Sequence, residues 1–314
     1  FFFKQKTAYE IVDCDWSSDV CSSDLFAAAG PGDIIARLIA DAMRRSLGQE
    51  VIVVNMGGAG GTIGTARVAA AKPDGYTILL GHTGQATQTS LYKSLTYDPV
   101  ESFDTIGLVT EVPMTIVGKP GLEPADLKTL ITYIRERPDK LNYAHSGLGS
   151  VAQLCGLMFM SATKTKMTVI PYKGGGEVMK DLLAGQIDVY CEPATGTTAN
   201  IQAGKIKAYA VTTKKRVGTL PDVPTTTEAG FPEIGITTWY GLYAPKGTPA
   251  PVIAKLSTAL QAAVVDSNVV TRFGPLSMVP VSPDQATPAA LDAKLKSEVK
   301  YWSALLKEAG VKPE

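Results

Sequence analysis

From Phe26 onward, short apolar and β-branched runs alternate with stretches in which apolar side chains recur every three to four positions. Gly, Pro, Asn or Asp marks the junctions. That alternation is the sequence sign of a parallel α/β sheet. The spacing predicts a helix over 33–47, where Ile34, Ile35, Leu38, Ile39, Ala42 and Leu47 share one face, with Asp33 placed to cap its start and Gly48 to end it. Residues 51–54 (VIVV) form a continuous apolar run, as expected of a strand covered on both faces. A Gly-rich turn, a helix over 62–71, a turn at 72–75 and a strand over 76–80 complete a βαβ unit, with strands near 106–109 and 113–118 beyond it.

A second series predicts a helix over 124–136, a strand over 141–144, a Gly/Ser loop and a helix over 150–162. A strand over 168–171, a triple-Gly turn at 174–176, a helix over 177–184 and strands over 187–191 and 206–212 follow. Residues 239–245 read as a strand ending in a turn, and helices are predicted over 249–265, 267–274 and 287–309. Two α/β lobes, with the last helices returning to the first, is the economical topology.

Residues 1–25 fit none of this. Lys4 and Lys6 are followed by Asp13, Asp15, Asp19 and Asp24 among Ser, which no signal-peptide apolar core could contain. The stretch KQKTAYEIVDCDWSSDVCSSDL resembles a translated sequencing-adapter read and is set aside as a non-native segment; the other reading is a disordered tail. The turn at 28–33 opens a helix and should follow a buried strand, yet no apolar run precedes it. The natural first strand and the signal peptide are therefore expected to be missing, replaced by this segment.

Charge and composition narrow the partners. The chain balances 30 basic against 30 acidic residues, and its hydrophobic share of 45% rules out intrinsic disorder. Setting the tail aside removes two basic and five acidic residues, so the body is slightly basic. Without clustered Lys/Arg it offers no nucleic-acid groove or polybasic membrane patch. No stretch reaches the ~20 apolar residues of a membrane-spanning helix. A small molecule or another protein remains as the partner.

Three loops carry polar backbone to helix N-termini, where unpaired N–H groups and the helix dipole favour an anion: residues 29–33, residues 81–85 and residues 146–150. Each also reads as an ordinary capped turn. The run GGAGGTIG at 57–64 follows a strand and opens a helix, but G-x-G-x-x-G would require Gly at Ile63 or Ala59, so a structural loop is the better reading. No nucleophile elbow surrounds Ser150, and His82 and His145 lack an obvious Asp partner. His145 could contact ligand or serve structure. No metal cluster is evident. Cys155 and Cys191 fall in one lobe, as a disulfide or as two buried thiols.

The segments FAAAGPGDIIARLIA, LGQEVIVVNMGGAGGTIGTARVAAAKPDGYTILLG, LYKSLTYDPVESF, LNYAHSGLGS, VIPYKGGGEVMKDLLAGQIDV, GKIKAYAVTTKKRVGTLPDVPTTTEAGFPEIGITTWYGLYAPKGTP and YWSALLKEAGVKPE, in this order, resemble the Bug-type extracytoplasmic solute-binding receptors of tripartite tricarboxylate transporters. The resemblance covers residues 26–314. It implies an α/β, two-lobed periplasmic-binding-protein fold of the Venus flytrap, type II-like kind, with a ligand cleft between lobes: 26–117 with 243–314, and 118–242. It implies a non-enzymatic, monomeric periplasmic receptor with no cofactor, which binds a small organic acid and delivers it to membrane subunits of the transporter. Carried over by position, Ala29, Gly30 and Asp33, then Thr83, Gly84 and Gln85, then Ser146, Gly149 and Ser150 hold a ligand carboxylate, while Tyr172 and Glu192 select its distal part. Trp239 is expected to pack a hinge. Gln153, and Gln85 too, stand where His is usual in the family. An α/β enzyme using the Gly-rich loop for a nucleotide or acyl cofactor is the alternative.

Overall fold

The computed structural model describes residues 2–3, 31–56 and 59–313. The chain runs β1 (Phe2–Phe3), α1 (Pro31–Leu47), α2 (Thr62–Ala69), β2 (Ile78–His82), α3 (Gln88–Leu91) and β3 (Phe103–Gly118). Next come α4 (Leu127–Glu136), β4 (Asn142–His145), α5 (Val151–Thr163), β5 (Thr168–Pro171), α6 (Gly175–Leu183), β6 (Val189–Pro193), α7 (Ala194–Gln202) and β7 (Lys207–Val211). β8 (Thr237–Pro245), α8 (Ala250–Val264), α9 (Ser267–Phe273), β9 (Val279–Pro280) and α10 (Pro288–Glu308) complete it. No helix is long and apolar enough to cross a membrane among the described residues.

These elements form two units: Phe1–Glu111, Trp239–Phe273 and Val279–Glu314 in the first, Val112–Thr238 and Gly274–Met278 in the second. The boundaries differ from the expected 117/118 and 242/243. The two expected strands near 106–109 and 113–118 are one strand, β3, which continues through Pro113, and the unit boundary falls inside it. Residues 274–278 join the second unit because the Ser277 hydroxyl pairs with those of Thr198 and Thr219.

In unit 1 the strand order is β1-β2-β8-β3, with β9 also on β3. β2 runs antiparallel to β8, from Leu79 opposite Tyr243 to His82 opposite Tyr240, and β9 runs antiparallel to β3. Every residue of β2 is buried. The sheet is thus not the parallel one expected here, because β2 borders a returning strand. Residues 51–56 are half-buried and only Val54 and Asn55 make bridges, so VIVV is no doubly covered strand. α1 packs against α8 and α9, its Ile35, Ile39 and Met43 are fully buried, and Arg45 reaches Asp266 at 2.7 Å. Asp33 is not the cap of α1: it lies in the first turn, where its carboxylate takes the Asn55 amide at 3.1 Å and pairs with Arg37 at 2.9 Å. The backbone of residues 2–3 pairs antiparallel with β2. The remaining expectations for residues 1–30, Ala29 and Gly30 included, lie outside the described residues.

In unit 2 the order is β5-β4-β6-β3-β7. β4 is parallel to β5 and to β6, whereas β3 is antiparallel to β6 and β7. The chain leaves β4 for β5 on one side, then crosses to β6 on the other. Loops after β4 and β6 therefore diverge, and ligands of open α/β sheets bind where strand order reverses in this way, beyond the carboxyl ends of the strands. The core behind that edge gathers Val117, Ala144, Ala152, Val178, Leu182, Ile187, Tyr190 and Ile206. α5 lies close on β4 because Gly156 has no side chain: a Cβ there would meet Tyr143 Cε1 at 2.3 Å. Cys155 of α5 is disulfide-bonded to Cys191 of β6, closing a loop of 36 residues, which constrains the unfolded chain by about 3–4 kcal/mol.

Candidate carboxylate site

At the end of β4, His145 is buried and its Nδ1 lies 3.2 Å from the Gly147 nitrogen and 3.0 Å from the Gly147 oxygen. Burial lowers its pKa, against the backbone bond to Gly147. His145 thus stays neutral and tethers the loop, which is the structural of its two readings. Gly147 and Gly149 hold φ of 122° and 72°, the first of which is closed in practice to any residue with a Cβ. These two glycines let the chain turn sharply between strand and helix.

Ser150 then caps α5, its hydroxyl accepting the Gln153 N–H at 3.2 Å. The Ser150 N–H goes to Gly147 O at 3.2 Å. The Gln153 side chain takes the Gly149 N–H at 2.7 Å. Ser146, Gly149 and Ser150 are therefore brought into one tight loop, backed by His145 and Gln153, at the N-terminus of a 13-residue helix. The first turn of an α-helix leaves N–H groups without intrahelical partners and carries the positive end of the helix dipole, here at that loop. Such a terminus receives an oxyanion without a paired cation.

Glu192 is the last residue but one of β6, the strand beside β4. Tyr190 and Glu192 share a strand face at spacing two, and the Tyr190 hydroxyl donates to Glu192 Oε2. Burial pushes the Glu192 carboxyl up to about 7, although the Tyr190 bond pulls the other way. Ser146 lies near the same Tyr190 hydroxyl and acts, against burial, to lower its pKa, so Glu192 sits beside the loop. The Tyr172 side chain goes elsewhere. Its N–H donates to His145 O at 2.9 Å, but its hydroxyl donates to Asp181 at 2.8 Å and its ring packs on the core. Tyr190 and Gln153 had escaped the sequence reading as partners. The two-residue spacing to Glu192 and the S-x-x-Q capping pattern at 150–153 were the signals for them.

In unit 1, the turn after β2 is built differently. The His82 Nδ1 accepts the Gly84 N–H at 2.8 Å, the Thr83 hydroxyl accepts the Trp239 N–H at 2.9 Å, and the Gln85 amide donates to Pro99 O at 2.9 Å. Thr83, Gly84 and Gln85 are all buried. Their side-chain bonds hold the turn onto β8 and the 97–102 loop, and Trp239, fully buried, packs beside it. Gly60 and Gly61, at φ of 59° and 88°, open α2, where Gly64 lies so near Met56 that a Cβ would be 3.2 Å from its oxygen. That close approach is what Gly64 serves.

Against known proteins, residues 35–311 match the model of the tripartite tricarboxylate transporter family receptor. A protein of Agrobacterium vitis described as a UPF0065 protein in the TAR-I ttuE-ttuC' intergenic region is 49% identical, over 90% of this chain and 82% of its own. The solved periplasmic binding protein BugD is 46% identical, with a TM-score of 0.85 over 94% of this chain and 98% of its own. MatC of Rhodopseudomonas palustris with bound malate is 36% identical, at 0.84 over 91% and 98%. Rpa4515 of R. palustris with adipate is 30% identical, at 0.86 over 96% and 100%. These neighbours are binding proteins, which removes the enzyme alternative. With nearly its whole body matched, this chain belongs to the receptor family of the tripartite tricarboxylate transporters.

Proposed function

We propose that the protein is a monomeric periplasmic receptor that captures a small carboxylate, holds it at the 146–150 loop, and delivers it to the membrane subunits of a tripartite tricarboxylate transporter. The observation that carries the reading is the loop itself: two positive-φ glycines and a capping serine present a helix N-terminus at the switch point of the unit 2 sheet. The ligands of the two R. palustris relatives, malate and adipate, are both dicarboxylates. The Cys155–Cys191 disulfide suits an oxidising compartment. Asp33, Thr83, Gly84 and Gln85 are assigned a supporting role within unit 1, where their hydrogen bonds shape its own turns.

Calorimetry on the purified protein tests this with di- and tricarboxylates and the matched carboxamides. Saturable binding of an acid whose amide does not bind supports the reading. Folded protein that binds no carboxylate contradicts it.

A further inference from the structure

In unit 2 the strands β4, β5, β6 and β7 all end at one edge of the sheet, since β4 is parallel to β5 and β6, while β6 and β7 are both antiparallel to β3. The 146–150 loop follows β4 at that edge. The segments that leave these strand ends carry four cations: Lys173 after β5, then Lys214, Lys215 and Arg216 after β7. Arg216 is paired with Glu228 at 3.0 Å. Lys173, Lys214 and Lys215 are exposed and pair with no carboxylate among the described residues.

Of these, Lys173 is tied closest to the loop. The Tyr172 N–H donates to His145 O at 2.9 Å, and the Tyr172 oxygen lies 3.7 Å from where a Gly147 Cβ would stand. Lys173 is the next residue, on the strand beside β4, whereas β7 lies three strands away, about 14 Å across the sheet. The other charges near the loop are negative. Glu177 and Asp181 of α6 act on the Tyr172 hydroxyl, which donates to Asp181 at 2.8 Å, and Glu192 lies on β6, at the other side of β4. An arriving dicarboxylate thus meets three acidic side chains and one cation, and without Lys173 it would meet repulsion alone.

An exposed charge at the rim of a site acts on the rate of encounter more than on the lifetime of the complex. Its field reaches about one Debye length, roughly 8 Å at physiological salt and 30 Å at about 0.01 M. We propose that Lys173 is the capture residue of this receptor: it steers an anionic ligand to the 146–150 loop and sets the association rate, with Lys214 and Lys215 felt only at low salt. This rests on the carboxylate-receptor reading above.

Stopped-flow mixing of the full chain with malate gives the association rate, and calorimetry gives the affinity from which dissociation follows. Lys173→Gln should slow association about three- to tenfold at an ionic strength of about 0.01 M, and the deficit should vanish at about 0.5 M. Dissociation should stay unchanged, Lys173→Arg should associate like the parent, and Lys173→Glu should be slower than Lys173→Gln. Lys140, exposed before β4 at the opposite edge, is the control: Lys140→Gln makes the same change in net charge and should leave the rate as it was. Equal rates in the parent and Lys173→Gln at low salt, or an equal loss in Lys140→Gln, overturn the assignment, while malate binding still upholds the receptor reading. Folded protein that binds neither malate nor any other carboxylate removes both.

Discussion

Gln153 reaches back over the first turn of α5 to accept the Gly149 N–H at 2.7 Å, while its own N–H is held by Ser150 at 3.2 Å. The residues S-x-x-Q would make a reciprocal capping box if the side chain took the Ser150 N–H. That N–H is already given to Gly147 O, so the amide is displaced by one residue onto the loop and rigidifies it. Gln153→Glu keeps the acceptor and adds favourable charge at a helix N-terminus. It also sets an anion where the ligand's carboxylate should lie. The variant should melt no lower than the parent, and calorimetry should show carboxylate affinity reduced at least tenfold. Gln153→Ala should instead lose about 1 kcal/mol of stability, read by urea denaturation.

Glu192 makes stability depend on pH with a definite sign. Its folded-state pKa is raised from 4.5 to about 7 by burial. The stability linked to this group is fully present below about 4.5 and is lost as pH rises through about 7, amounting to a few kcal/mol. Denaturation midpoints of the parent should therefore fall between pH 5 and pH 8 more steeply than those of Glu192→Gln. Parallel profiles for the two proteins would remove Glu192 as the titrating group.

The Cys155–Cys191 bridge ties α5 to β6 behind the loop. Its removal by paired Ala substitution should lower unfolding free energy by about 2–4 kcal/mol. Thiol titration of the unreduced native protein should detect neither Cys155 nor Cys191, and denaturant with reductant should expose both.

Gly156 is the contact point of α5 on β4, and its replacement should be costly for reasons of space alone. A methyl group there would overlap the Tyr143 ring at 2.3 Å, with backbone fixed on one side and a buried ring on the other. Gly156→Ala should destabilise by about 1–3 kcal/mol in chemical denaturation. Gly218→Ala, with nothing within 4 Å of its Cβ, serves as the neutral control.

Most of unit 2 was legible from periodicity, since α5 starts at its capping serine and β5 spans the residues its apolar run marks. What escaped was long-range. The strands expected near 106–109 and 113–118 are one, β3, which runs through Pro113. The VIVV run has the composition of a central strand, but a strand is made by its neighbours, and no ladder carries residues 51–53 among those described. Asp33 looked like a cap because it precedes the apolar stripe; Pro31 starts the helix two residues earlier. At the site, glycine spacing revealed the 146–150 loop, whereas the destination of each side chain was hidden. Tyr172 and Glu192 read alike as strand-end residues, and only the fold sends one hydroxyl to Asp181 and leaves the other side chain beside the loop.

Amide chemical shifts during a malate titration of the 15N-labelled protein test the central claim most directly. The account predicts saturable shifts at Gly147, Gly149, Val151 and Ala152, with Glu192 responding alongside them. Saturable binding that leaves all five amides unmoved would contradict the assignment of the 146–150 loop as the carboxylate-holding element.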